Sequence, residues 1–504
     1  MAEERKVGIT RRDLLKTAAI GAATAGLGCA GLSRVSAHNG KCPNIVFLLT
    51  DDQRWDSLGC MGNPIVQTPN LDALAAGGTL FTNHFATTPI CAASRASIFT
   101  GLHTRCHGIE DFGTPLSPEL ARITYPFVLR NAGYRTAFIG KYGLGGDLPV
   151  NDYDYFDGFE GQGFYFQKEG TGSFEQGQEG GPHLTAKLGG KAVDFLQSTP
   201  TDMPFCLSVS FKAPHVQDQD PRQYLYDPSL DAMYRDDEIP PPPKNQPYFY
   251  NRFPAFIRDS EGRRRWHMRF ATPEAYQRSV KGYYRLVSGV DREVGRIMTA
   301  LAERGLANNT IVVFTSDQGI FNGERGLAGK WLLHEESIRA PLIIYDPRVP
   351  EPMRGQRCDA MSLNIDLSPT LMALAGESIP NAVQGRDLSG WVHGSKPAWR
   401  EECFFEHHFG AVREPVIPAS DGIRTERWKY IRYVEPHPRY AELYNLAEDP
   451  REYRNHADEL RYAETQAALA TRWHVWTEAL ARWRLDAAEP WKDPGAEAIA
   501  GPVV

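Results

Sequence analysis

Asn44-Ile45-Val46-Phe47-Leu48-Leu49 is an unbroken apolar run after its first residue, and it passes directly into Thr50-Asp51-Asp52. A run without polar alternation belongs to a strand buried on both faces, which in practice means a parallel sheet covered by helices. The design returns at Thr310-Ile311-Val312-Val313-Phe314, which leads into Thr315-Ser316-Asp317-Gln318-Gly319. Open α/β sheets bind their ligands beyond the carboxyl ends of the strands. Two buried strands that both exit into oxygen-bearing side chains therefore place the chain in the α/β class and mark one edge of the sheet as functional. Taken alone, Asp51-Asp52 reads first as a helix cap followed by a solvated acid.

Further strands are expected at Arg135–Ile139, Phe205–Phe211 and Pro341–Tyr345. The first delivers Gly140-Lys141-Tyr142-Gly143-Leu144-Gly145-Gly146, where a lysine among glycines is either an anion clamp or a solvated loop. The second ends in Lys212-Ala213-Pro214-His215; a lone histidine is more often structural, but this one again follows a strand end. Helices are expected over 68–77, 125–131 and 191–197. The clearest carries Tyr283, Val287, Val290, Val294, Ile297 and Leu301 at alternating steps of four and three, and closes at Gly305.

Residues 216–272 break this rhythm, with Pro240 to Pro243 and a basic run at Arg263, Arg264 and Arg265. They form an insertion, either a solvated one or a substrate-facing one. The aromatic-rich loop from Phe159 to Phe166 carries the same two readings. Beyond Gly390, a hairpin over 421–433 and a helical tail indicate a small subdomain of antiparallel strands and a packed helix. The expected division is a signal segment over 1–37, a catalytic domain over 38–395 and a C-terminal subdomain over 396–504.

Between the first two strand exits lies Thr88-Pro89-Ile90-Cys91-Ala92-Ala93-Ser94-Arg95, continuing to Thr100-Gly101. A proline-led loop enters a short helix that stops on glycine, so Cys91 falls at a helix N-terminus, where free N–H groups and the dipole favour negative charge. The plain alternative is a small buried cysteine.

The net charge of −7 and the pI near 6.1 argue against a nucleic-acid partner. No segment is apolar enough to span a bilayer. Thr10-Arg11-Arg12-Asp13-Leu14-Leu15-Lys16 resembles a twin-arginine export signal, with Val35-Ser36-Ala37 as cleavage site and a periplasmic or extracellular destination. Lipidation at Cys29 is the rival, opposed by Gly26 where a large aliphatic residue is wanted. The other cysteines, Cys42, Cys60, Cys91, Cys106, Cys206, Cys358 and Cys403, are odd in number; spacing does not decide between pairing and burial, and none makes a close zinc-type pair.

Asp51, Asp52, Asp317 and Gln318 together offer hard oxygen ligands suited to calcium, with magnesium second. Arg95, Lys141, His215 and Lys330 add cations and donors. Such a group would hold a tetrahedral oxyanion beside a metal and a nucleophile.

In these motifs the sequence resembles the formylglycine-dependent sulfatases of the alkaline phosphatase superfamily, from Pro43 to Glu442-Leu443-Tyr444-Asn445-Leu446-Ala447-Glu448-Asp449-Pro450. The resemblance implies an alkaline-phosphatase-like sandwich with a large, mostly parallel sheet flanked by helices. It also implies a formylglycine made from Cys91 by a maturation enzyme, whose hydrate attacks sulfur and then releases sulfate. Asp51, Asp52, Asp317, Gln318 and the modified Cys91 would hold the cation, and Arg95 would support the diol. Lys141 and Lys330 would neutralise sulfate, and His215 would protonate the leaving oxygen.

Two departures stand out: Ala93 where many relatives have proline, and Gly143 where many have a histidine that serves as base. His103, His107 and His183 are candidate replacements, and none is assigned. Gln318, where asparagine or histidine is common, keeps an amide oxygen for the ion. The expected activity is hydrolysis of sulfate monoesters on a sugar or glycan. A phosphodiester or phosphonate monoester hydrolase, or a sulfated-glycan-binding protein with Cys91 unmodified, are the alternatives.

Overall fold

The structure is a computed structural model that describes residues 42–166, 181–408, 416–434 and 439–496; the signal-like segment lies outside them. Nine strands make the large sheet: β1 (Asn44–Asp51), β2 (Thr79–Phe85), β3 (Arg135–Lys141), β4 (Tyr155–Phe159), β5 (Phe205–Pro214), β6 (Thr310–Ser316), β7 (Arg339–Tyr345), β8 (Gln356–Cys358) and β9 (Ser362–Leu363). They lie in the order β8-β2-β7-β6-β1-β5-β3-β4, with β9 beside β2. β7 runs antiparallel to both of its neighbours and the other pairings are parallel. The two acid-ending strands are direct partners at the middle of the sheet: Leu49 pairs with Thr315 and Thr50 with Ser316, so their exits are level.

Side chains alternate across β1, as strand geometry requires. Val46 and Leu48 share one apolar cluster with residues of α1 (Pro69–Gly77). Ile45, Phe47 and Leu49 enter a second cluster with residues of α2 (Cys91–Thr100). α3 (Leu184–Ser198) covers the first face together with a long helix that follows α4 (Glu261–Arg269). That helix, α5 (Pro273–Glu303), contains the expected periodic stripe, and all six stripe residues from Tyr283 to Leu301 are no more than 1% exposed. The hydroxyl of Thr272 caps its start. α6 (Leu367–Ala375) completes the second face. This is the expected sandwich.

A second, antiparallel sheet has β10 (Glu402–His407), β11 (Ser420–Thr425), β12 (Trp428–Tyr433) and β13 (Ala441–Asn445) in sequential order. β11 and β12 are the expected hairpin. Trp476, Leu469 and Leu480 of α7 (Ala463–Arg482) pack onto Phe404, Ile423 and Leu443.

Four strands of the large sheet, β2, β4, β8 and β9, escape the sequence reading, as do the positions of β10 and β13 in the small one. β2 is broken by Thr82-Asn83-His84, and its register against β7 shifts between Phe81 and His84. β4 is a short edge strand containing Asp157 and Gly158. The insertion is not featureless, since it holds α4 and two shorter helices, Pro247–Asn251 and Ala255–Arg258. All seven cysteines of the described residues are free thiols; Cys91, Cys206, Cys358 and Cys403 are buried.

Candidate active site

The central strands bring the acids together. Asp51 is the last residue of β1, and Asp52 turns the chain in a left-handed conformation, φ 63°, that few non-glycine residues adopt and that aspartate tolerates better than most. The turn directs the Asp52 N–H to Asp317 Oδ1 at 3.1 Å, while Asp317 N–H donates to the Thr50 carbonyl at 3.1 Å. Asp51, Asp52 and Asp317 each offer a carboxylate oxygen within 4.8 Å of the others, all fully buried.

Three such acids repel one another, and the surrounding charges divide them. Burial opposes ionisation of Asp51, but Lys141, His215, Arg95 and Lys330 outweigh it and hold the group well below the usual carboxylate range. Burial, followed by the charge of Asp51, pushes Asp317 up to about 7. Gln318 donates through Nε2 to Asp52 Oδ1 at 2.6 Å, while its Oε1 is buried without a hydrogen-bond partner. A buried amide oxygen with no donor, beside three crowded carboxylates, fits a hard divalent cation. The donor set is all oxygen and so fits calcium or magnesium better than zinc.

Cys91 opens α2, whose ten residues are all buried, and Gly101 closes it at φ 72°. The Cys91 Sγ lies 3.5 Å from Asp51 Oδ1, 3.1 Å from Lys330 Nζ and 3.7 Å from Gln318 Nε2. Burial and then Asp51 raise the thiol above its ordinary pKa. In α2 the Arg95 guanidinium reaches Asp317 Oδ2 at 3.0 Å, Asp51 Oδ2 at 3.3 Å, Ser210 Oγ at 2.6 Å and the Lys141 carbonyl at 2.8 Å. Arg95 is wholly enclosed, so it binds the acids from beneath.

Lys141 ends β3, pairs with Asp51 Oδ2 and donates to Gln162 Oε1 at 2.7 Å. Lys330 reaches Asp52 Oδ1 at 2.6 Å. His215 faces Asp52 Oδ2 through Nε2 at 3.5 Å, and its Nδ1 contacts the Val216 carbonyl at 2.7 Å. A carbonyl only accepts, so Nδ1 carries a proton, and a second proton can sit only on Nε2, toward the acids. Burial and then Lys330 lower its pKa to about 3.

These groups floor a cavity of about 530 Å³, whose lining includes Cys91, Lys141, His215 and Lys330 together with Gly143, Gly161, Gln162, Trp331 and the insertion residues Asp218, Glu261, Arg264 and Arg265. The insertion thus does reach the site. The aromatic loop does so only through Gly161 and Gln162, because Phe159, Tyr165 and Phe166 pack in the core. Ser210, Gln162 and Asp218 escaped the sequence reading; Asp218 had one signal, its place three residues after His215.

The candidate replacement histidines do not line the cavity. His103 packs against Phe404 and Trp476, His107 lies 3.2 Å from Ser97 Oγ, and His183 accepts from Thr185 N–H at the start of α3 while stacking on Tyr165. At Gly143 (φ 76°) an added Cβ would lie 2.7 Å from Arg95 Cδ.

Known proteins resemble this chain in sequence and fold over most of its length. The Sulfatase family model matches residues 43–377, and that of the N-sulphoglucosamine sulphohydrolase C-terminal region matches 323–478. The chain is 29% identical to the N-acetylglucosamine-6-O-sulfatase of Bacteroides thetaiotaomicron, over 88% of each chain. It is 30% identical to the steryl-sulfatase of Homo sapiens, over 76% of this chain and 75% of that one. A solved enzyme in complex with its substrate D-glucosamine-2-N,6-O-disulfate aligns with a TM-score of 0.74 at 26% identity, covering 89% of this chain and 100% of the other. The phosphonate monoester hydrolase of Agrobacterium radiobacter shares the fold, with a TM-score of 0.66 at 24% identity over 87% of this chain and 96% of that one. The chain therefore belongs to the sulfatase family, enzymes that hydrolyse sulfate esters.

Proposed function

We propose that this sulfatase removes sulfate from a sugar or glycan, using formylglycine made from Cys91 and one divalent cation, calcium in the first place and magnesium in the second. One observation carries the reading: Cys91 Sγ lies 3.1 Å from Lys330 Nζ and 3.5 Å from Asp51 Oδ1 on the floor of the cavity that Lys141 and His215 also line. The sugar rests on what the relatives' names and the substrate-bound neighbour say of those proteins.

Asp51, Asp52, Asp317 and Gln318 would hold the cation, with the modified Cys91 as a further ligand. Bound there, it supplies Lewis-acid polarisation of sulfate and favours a deprotonated nucleophile. The hydrate of formylglycine supplies that nucleophile, with a second hydroxyl for sulfate release. Lys141 and Lys330 place two positive charges where the ester oxygens gain negative charge. His215, with Nδ1 committed to Val216, is neutral near pH 7 and presents Nε2 toward the acids, so it serves the leaving oxygen by first taking up a proton at Nε2 and then passing it on. Arg95 fixes the orientation of Asp51 and Asp317.

The reading includes export directed by the twin-arginine-like segment, action outside the cytoplasm and a separate maturation enzyme. Among the described residues no helix is long and apolar enough to cross a membrane. We place the boundary of the C-terminal subdomain near 395, just before β10.

The test is sulfate release by matured protein from N-acetylglucosamine 6-O-sulfate, glucosamine 2-N,6-O-disulfate and an aryl sulfate, beside an aryl phosphodiester and an aryl phosphonate. Preference for a sugar sulfate is expected. Faster turnover of the phosphorus esters would contradict the proposal.

A further inference from the structure

The insertion contributes a fixed polar wall to the cavity. Glu261, Arg265 and Arg269 stand at every fourth position of α4 and so share one face of the helix. Arg265 donates through Nε to Glu261 Oε1 at 2.7 Å and through Nη1 to Asp218 Oδ1 at 3.1 Å. Arg269, almost fully buried, donates to the same Asp218 oxygen at 3.2 Å and to Gln223 Oε1 at 2.9 Å. Arg264 grips both oxygens of Glu261 at 2.6 and 2.5 Å. The Arg265 guanidinium lies 5.1 Å over the ring of Trp331, which lines the cavity and holds a left-handed backbone, φ 88°, that bulky residues rarely adopt.

Asp218 is thus pinned through Oδ1 alone. Among the described residues its Oδ2 takes no hydrogen bond, and the side chain is 34% exposed in the cavity that holds Cys91. An ionised carboxylate is an acceptor only, so it repels a second anionic group and welcomes hydroxyls. Arg265 beside it retains N–H donors beyond the two it has committed. An acceptor and a donor fixed side by side match the vicinal hydroxyls of a sugar ring, the part of a sugar sulfate that leaves as alcohol.

We infer that Asp218, held in place by Arg265 and Arg269, is a specificity-determining residue that accepts hydrogen bonds from the ring hydroxyls of the sugar bearing the sulfate. The inference rests on the sugar-sulfate reading above and deepens it.

The test compares wild type, Asp218→Asn and Asp218→Ala on the best sugar monosulfate found, its deoxy analogues and 4-methylumbelliferyl sulfate, which has no sugar hydroxyl. Asp218→Asn preserves an acceptor for the two arginines and guards against loss of folding. A charged hydrogen bond to a hydroxyl corresponds to roughly 10- to 150-fold in binding, so the ratio of kcat/KM on the sugar to that on the aryl sulfate should fall by that much in Asp218→Ala and by less in Asp218→Asn. One deoxy analogue should cost the wild type a similar factor and cost Asp218→Ala almost nothing further, the signature of a direct pair. An unchanged ratio in both variants, or equal losses on every deoxy analogue in wild type and variant, would overturn the inference while leaving the sugar reading intact. Wild-type turnover of the aryl sulfate with none of any sugar sulfate would overturn both.

Discussion

Gly143 shows how far a single residue constrains this site. Its backbone is left-handed, and any side chain there meets Arg95, whose guanidinium ties Asp51 to Asp317. Placing there the histidine that the family resemblance leads one to expect should therefore dislodge Arg95 instead of adding a base. Gly143→His should lower kcat on an aryl sulfate and reduce stability by about 1–2 kcal/mol from backbone strain alone; a gain in kcat would show that Arg95 yields freely. Lys330 gives the complementary case. It contacts both Cys91 and Asp52, so Lys330→Ala should lower kcat about 10²- to 10³-fold. A loss confined to KM would instead mark it as a ground-state binder. At this scale the sequence pointed to the residues that follow strand exits only as a set: each alone has a structural reading as cap, solvated loop or packed histidine, and their recurrence at several strand ends singled them out. Ser210 and Gln162 were illegible, because a serine within a strand and a glutamine in a loop acquire meaning only through Arg95 and Lys141.

The element that carries Lys330 is secured from outside the large sheet. Glu335 and Glu336 follow it closely and are buried. Lys429 of β12 donates to Glu335 at 2.7 Å and to Glu452 at 2.6 Å, Arg424 of β11 donates to Glu335 at 3.0 Å, and Lys244 of the insertion pairs with Glu336. The small sheet therefore braces the segment that follows Lys330. Breaking a buried pair leaves an uncompensated charge, so Lys429→Met should cost about 3–5 kcal/mol in denaturant unfolding and shift the folded protein toward lower kcat; a loss under 1 kcal/mol would refute the brace. The elements themselves were well read where periodicity was strong. α5 and the β11–β12 hairpin followed from pattern alone, whereas β2 and β4 were hidden by polar and glycine residues that the sheet tolerates only because neighbouring strands supply the pairing. The Glu335–Lys429 link crosses almost a hundred residues and left no local signal.

At the scale of the molecule, burial sets the response to acid. It lowers His84, His103, His107 and His407 to about 3 and His183 to about 4. Above pH 6.5 these groups are neutral both folded and unfolded, and their contribution is complete. As pH falls below 6.5 the unfolded chain takes up protons that the folded protein refuses, so stability drops until the folded values are reached, by up to about 1.4 kcal/mol per histidine per pH unit. His408, raised by its hydrogen bond to Asp421, and Asp317, raised by burial beside Asp51, act in the opposite sense, because the folded protein takes up those protons before the unfolded chain does. Urea midpoints should fall steeply between pH 6.5 and 5, and a flat profile would contradict the assignment. The same enclosure shapes the candidate site, because α2 is buried along its whole length, holds the acids of both strands through Arg95 and lines the cavity with Cys91. The most direct test is to prepare the protein with graded maturation, quantify formylglycine in the Cys91 peptide by mass spectrometry and measure sulfate release from each preparation. Activity should rise in proportion to the formylglycine fraction and extrapolate to zero at none; full turnover by protein that retains the intact Cys91 thiol would contradict the account.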